Sequence, residues 1–173
     1  MLSALWALTL LSTPTPPAPA AQPPAAPASG CPAAEYHQLD FWIGDWDTFE
    51  PDGSGGSVAR AHVDPILGSC AIHELYEQMD GLVGDSFLSY DAVRKQWQQT
   101  WVTNRGSLMV IHGGFKDGVL TLEGEMHGRD GKSILQRVTW KAEPKGVHEF
   151  AVMSKDGGKN WAPAFDVLFM KHH

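Results

Sequence analysis

From Ile43 onward the chain alternates apolar and polar residues in short runs, each broken by Gly, Asp, Asn or Pro. A period of two is the signature of strands with one buried face. The runs are Ile43–Glu50, Ser57–Asp64, Cys70–Gln78, Asp85–Asp91, Trp97–Thr103, Leu108–His112, Val119–Glu125, Ile134–Ala142, Val147–Ser154 and Trp161–Lys171. Between them stand turn signals such as Asp52-Gly53, Asp80-Gly81, Asn104-Arg105-Gly106, Gly113-Gly114, Asp117-Gly118, Asp130-Gly131 and Asp156-Gly157-Gly158. Tight turns join antiparallel neighbours and cannot serve parallel crossovers. About ten such strands are too many for a flat sheet, and closing the sheet removes its exposed edges. The pattern therefore predicts an all-β fold, an antiparallel up-and-down β-barrel of about ten strands. A single short helical turn is expected over Pro32–Asp40, with Tyr36, Leu39 and Phe41 as its apolar contacts.

The chain before the barrel reads differently. Leu2–Leu11 is an apolar run about half the ~20 residues that would span a bilayer, so it reads as a signal-peptide core. Ala18-Pro19-Ala20 offers a cleavage site, although no Lys or Arg precedes the apolar run. Residues 1–20 are assigned to a signal peptide, 21–34 to a Pro/Ala-rich disordered linker and 35–173 to the barrel domain. No transmembrane segment is expected, and the compartment is periplasmic or secreted. Cys31 and Cys70 are the two cysteines, and in an exported chain they suggest one disulfide. Ala28-Ser29-Gly30-Cys31 also resembles a lipobox, which would anchor the protein through a lipid on Cys31.

Composition narrows the function. Seven tryptophans in 173 residues imply a heavily aromatic core or an aromatic-lined cavity. A net charge of −7, with scattered Lys and Arg, excludes the cationic surface that nucleic acid or anionic lipid requires. Alternation then sorts side chains onto two faces without saying which is inside. Glu74 and Tyr76 share a face, Tyr90 lies on the next run, and Gln99 and Trp101 align on the one after. With Arg137 these form the most economical ligand-binding set, a few polar groups in an apolar wall. The plain alternative is a filled barrel with Glu74 and Arg137 as a surface pair.

Other chemistry finds little support in the spacing. The eight histidines form no His-x-His or His-x-x-x-His pair, and no zinc pattern exists. No cofactor is expected, although one axial histidine for haem would leave no spacing signature. Ser86 and Ser107 lack the context of an activated nucleophile, so no catalytic residue is assigned and an enzyme is the less favoured reading. Ser154-Lys155-Asp156-Gly157-Gly158-Lys159-Asn160-Trp161 resembles the Asp-box of sialidases. Its physical meaning is a hairpin in which Asp156 caps turn amides and Trp161 packs beneath, with no activity implied.

The opening stretch Phe41-Trp42-Ile43-Gly44-Asp45-Trp46, followed by Gly68-Ser69-Cys70, Glu74, Tyr90-Asp91 and Trp97-x-Gln99-x-Trp101, resembles bacterial exported proteins of the domain-of-unknown-function 1579 type. That resemblance spans residues 31 to about 171 and implies a lipocalin-like, or calycin-like, barrel. A Gly-x-Trp near the first strand is more loosely similar to lipocalins, fatty-acid-binding proteins and nitrobindin-type haem barrels. In those families the tryptophan closes one barrel end, a role that falls here on Trp46, with Trp42 beside it and Gly44 permitting close backbone approach. The leading expectation is an exported, monomeric or weakly dimeric barrel that binds a small apolar or amphipathic ligand. The alternatives are an enzyme using a barrel-interior Glu74 as acid or base, and a structural envelope module with an exposed apolar patch.

Overall fold

A computed structural model describes residues 30–128 and 130–173. The signal peptide assigned to 1–20 and all but the last residues of the 21–34 linker lie outside the described residues. Ten strands follow one another: β1 (Gly44–Phe49), β2 (Ala59–Ile66), β3 (Ala71–Gln78), β4 (Val83–Asp91), β5 (Gln96–Thr103), β6 (Leu108–Lys116), β7 (Val119–His127), β8 (Ser133–Glu143), β9 (Gly146–Ser154) and β10 (Ala162–Lys171). Each pairs antiparallel with its sequence neighbours, and β10 returns to β1, with Trp46 opposite Lys171 and Phe49 opposite Leu168. The fold is the closed up-and-down barrel that the alternation predicts. Among the described residues no helix is long and apolar enough to cross a membrane.

Strand ends differ from the sequence reading by a residue or a few, and two of the differences have a clear physical reason. Gly113-Gly114 is not a turn: β6 runs through it, and Gly113 sits opposite Trp97 and Leu122. A Cβ on Gly113 would collide with the Thr121 carbonyl, so glycine here lets β6 and β7 approach rather than turn. The hairpin falls one step later, at Asp117 and Gly118, with φ of 51° and 79°. Two successive positive φ values make the type I′ turn that suits twisted strands. Pro65 likewise lies inside β2, where the β1 partnership has already ended at Gly44 opposite Val63. A proline is tolerated in a strand where no partner needs its N–H.

The expected single helical turn is two short 3-10 turns, Ala34–His37 and Asp40–Trp42, and together they close one end of the barrel. Trp42 is fully buried, its ring 5.8 Å from Phe169 edge-to-face and 6.1 Å from Trp140. Its carbonyl accepts the Trp46 indole N–H at 2.8 Å. The Trp97 indole donates to Gln38 at 2.9 Å, and Tyr36 and Phe41 pack edge-on against Tyr90 and Phe115. Lys171 then covers the Trp46 ring, its Nζ 3.8 Å from the centroid and 2.8 Å from the Ile43 carbonyl. Gly44 has a φ of 133°, outside the range of an ordinary L-residue, and this bend carries the chain from plug to strand.

Two local devices complete the frame. Cys31 and Cys70 are joined, with Cα atoms 4.9 Å apart across 39 residues, and tie the plug segment to the start of β3. The Cys31 sulfur is committed to this bond and is not free to carry a lipid. At the β9–β10 turn, Asp156 accepts the amides of Lys159 and Asn160 at 3.1 and 2.9 Å, and Trp161 donates to the Gly158 carbonyl. These bonds, led by the Asn160 amide, hold the Asp156 carboxyl down at about 2. The Asp-box likeness is a structural turn.

Two outcomes follow for stability. Trp46→Ala should lower unfolding free energy by about 3–5 kcal/mol in a urea titration, because the cavity it leaves sits beneath Lys171 and beside the plug. Reduction of Cys31–Cys70, or a Cys70→Ser change, should cost about 3–4 kcal/mol, the loop-closure value for ~40 residues.

Candidate functional site

The plug fills only one end. Toward the other end the inward rows lose their large aliphatic side chains, and a cavity of about 570 Å3 opens among β3–β10. Its rim carries Glu50, Val58, Leu82 and Phe165, and its walls carry Tyr76, Trp101, Met109 and Met126. At its polar floor stand Glu74, Gln99, Gln136 and Glu149.

Strand register explains this grouping. Glu74 on β3 lies between Val63 on β2 and Ser86 on β4, and Ser86 in turn opposes Trp101 on β5. Tyr76 opposes Gly84, one step nearer the rim. Gly84 matters because a Cβ there would collide with the Trp101 indole, so glycine is what lets that ring lie flat in the wall. Tyr76 and Trp101 meet edge-to-face at 6.0 Å. Gln99 donates to Ser86 Oγ at 2.8 Å, which fixes its amide and leaves its own Oε1 buried with no partner among the described residues.

The structure thus brings Glu74, Tyr76, Gln99 and Trp101 to one cavity. Tyr90 shares their inward face but sits at the plugged end, 5.5 Å from Tyr36 and 6.0 Å from Trp97, and does not line the cavity. Arg137 does not join them. It lies on the outer face, bonded to Glu123 at 2.7 Å, with its guanidinium 4.3 Å over the Trp161 ring. The inward row of β8 is Gln136, Val138 and Trp140. That row carries the large apolar residues Val138 and Trp140, which mark it as the inside.

Sequence reasoning missed Glu149. It stands on β9 between Val147 and Ala151, opposite Trp140 on β8 and Val167 on β10. A lone carboxylate in an otherwise apolar alternating row is the signal that also marks Glu74, and it was legible in Val147–Met153. Glu74 is 4% exposed. Burial and then the facing charge of Glu149 push its carboxyl well above the ordinary carboxylate range. Glu149 borders the cavity but is enclosed by the barrel, and burial pushes it up to about 8. The nearby Trp140 indole opposes that rise without reaching hydrogen-bonding geometry. Burial also lifts the Tyr76 phenol to about 12. At neutral pH the two carboxyls are a coupled pair that holds at least one proton.

The histidines lie elsewhere. His62 bonds Asp45 and Asp64, His73 bonds Asp85, His148 bonds Asp166 and His172 bonds Asp47, all as partners of outer-face carboxylates. No imidazole lines the cavity, so its residues do not fit a haem that needs an axial histidine. Among the described residues no cluster of three metal-ligating side chains occurs.

A folded-state pKa raised above the unfolded value makes folding bind protons. The Glu149 contribution is therefore intact below about pH 4.5 and is lost as pH rises through about 8. Wild-type stability should decline across that window, and Glu149→Gln should flatten the decline in thermal melts taken from pH 5 to pH 8.5. An unchanged slope would place the Glu149 carboxyl in solvent. Compared with known proteins, the chain matches no family model and no curated protein, so the geometry of the cavity carries the functional reading.

Proposed function

We propose that the protein is an exported binding barrel that takes a small amphipathic molecule through its open end. The observation that carries this reading is the half-empty interior. A cavity of about 570 Å3 with aromatic and thioether walls and a few polar groups matches the usual ligand pocket, roughly 300–1,000 Å3 and mainly apolar. Unfilled volume of this size weakens a purely structural barrel, because packed cores leave few voids larger than a water. The apolar leader and the Cys31–Cys70 bond support an oxidising compartment outside the cytoplasm. The resemblance to the domain-of-unknown-function 1579 proteins agrees with export and with a barrel, and adds no activity. The protein acts as a monomer or a weak dimer.

A second reading has one observation in its favour. Glu74 is buried beside Glu149 with its carboxyl raised, which is the setting of a general acid. It calls for turnover of some cavity ligand, and for Glu74→Gln to remove turnover while leaving binding. The envelope-module reading would instead use Phe87, Val102, Leu108 and Val110, which stand exposed on the outer face of β4–β6.

Titration of the purified protein with a library of amphipathic and aromatic molecules should quench tryptophan fluorescence through Trp101, and Trp101→Phe should reduce the quench. Gly84→Ala, which drives the Trp101 ring into the cavity, should weaken every ligand found by about tenfold while the outer surface is untouched. If no ligand binds, or if Gly84→Ala leaves binding unchanged, the cavity is not the site.

A further inference from the structure

We infer that the ligand is an organic cation, a molecule with an apolar body and a basic nitrogen that docks between Glu74 and Glu149. This rests on the reading of the cavity as a ligand site and goes on to assign the ligand's charge.

The floor of the cavity is rich in acceptors and poor in donors. Among the described residues, neither Lys, Arg nor His lines it. Glu74 receives no hydrogen bond among the described residues, and the charge that acts on it is that of Glu149, a like charge. Gln99 donates one amide hydrogen to Ser86, and its carbonyl oxygen is buried with no partner among the described residues, the residue being 3% exposed. An unpaired buried acceptor is costly and a buried charge more so, and such a floor is completed by something that donates. An ammonium or amidinium donates two or more hydrogen bonds and supplies the missing charge in one group.

The walls suit the same guest. Tyr76 and Trp101 stand beside the floor, and aromatic faces attract cations. Glu50 at the rim adds negative potential where a ligand enters. A bare metal ion does not fit, since the volume is far larger than an ion and no three metal ligands cluster among the described residues. A fatty acid does not fit either. Its carboxylate would find two carboxyls and, among the described residues, no counter-charge.

Cation and proton compete for the same carboxyls. Facing that pair are Tyr76, Gln99 and Gln136, with Trp140 beside Glu149 and Glu50 at the rim, while Asp166 is held by His148 on the outer face.

The test is calorimetric titration of the full protein with matched series on phenylbutyl, naphthylethyl and decyl bodies, each as primary amine, alcohol and carboxylate. The amine should bind about tenfold or more tighter than the alcohol, with the carboxylate weakest. Amine affinity should rise from pH 5 to pH 8.5 with proton release, read from the buffer dependence of the heat, while alcohol affinity stays level. In Glu74→Gln and Glu149→Gln the amine preference should fall and the alcohol should still bind. Alcohols that bind as well as amines, or amine affinity that ignores both pH and the two substitutions, would overturn the inference and leave the binding barrel standing. Failure of all nine compounds together with the wider library would remove both.

Discussion

Ten strands closed on themselves enclose more room than their own inward side chains fill, and the rest of the structure answers that constraint. Barrel diameter grows with strand number, and about eight strands is the size that side chains alone can pack. Here the surplus is divided in two. At one end the segment before β1 folds inward and supplies Leu39 and Trp42, both fully buried, to meet Trp97, Trp140 and Phe169. At the other end no described segment folds inward, and the space remains as the cavity.

The plug is also where the chain spends its covalent and polar restraints. The Cys31–Cys70 bond, the Trp97–Gln38 bond and the Trp46–Trp42 bond all hold the same short segment against the strands. None of them touches the cavity lining. The plugged end is thereby rigid without constraining the open end, which suits a scaffold that keeps a site on strands rather than on loops. Trp42 Nε1 and Trp140 Nε1 are both buried without partners among the described residues, a cost the aromatic packing around them must exceed.

The cavity floor runs against folding stability. Placing two carboxyls on facing inward rows raises both above their ordinary range and couples them, and a barrel selected for stability alone would have used Gln or Leu at these places. Buried titratable groups with no internal counter-charge concentrate at working sites. The same logic separates Glu74 and Glu149 from the outer carboxylates. Asp45, Asp85 and Asp166 each have a histidine at hand and pose no such problem.

The strand count, the antiparallel order and the closure were legible in the chain because alternation and turn chemistry are local. So was the role of Asp156, whose neighbours in sequence are its partners in space. Glu74, Tyr76, Gln99 and Trp101 could be grouped because each sits two residues from another inward residue on its own strand. What alternation lacks is a sign for the inside, and Arg137 was misplaced for that reason. Glycine carries a similar ambiguity. Gly113 reads as a turn by residue type, yet it serves strand approach, and only the Thr121 carbonyl behind it reveals which. The meeting of Glu74 with Glu149, 75 positions apart, depends on barrel closure through β1 and β10, a long-range fact that no local period encodes.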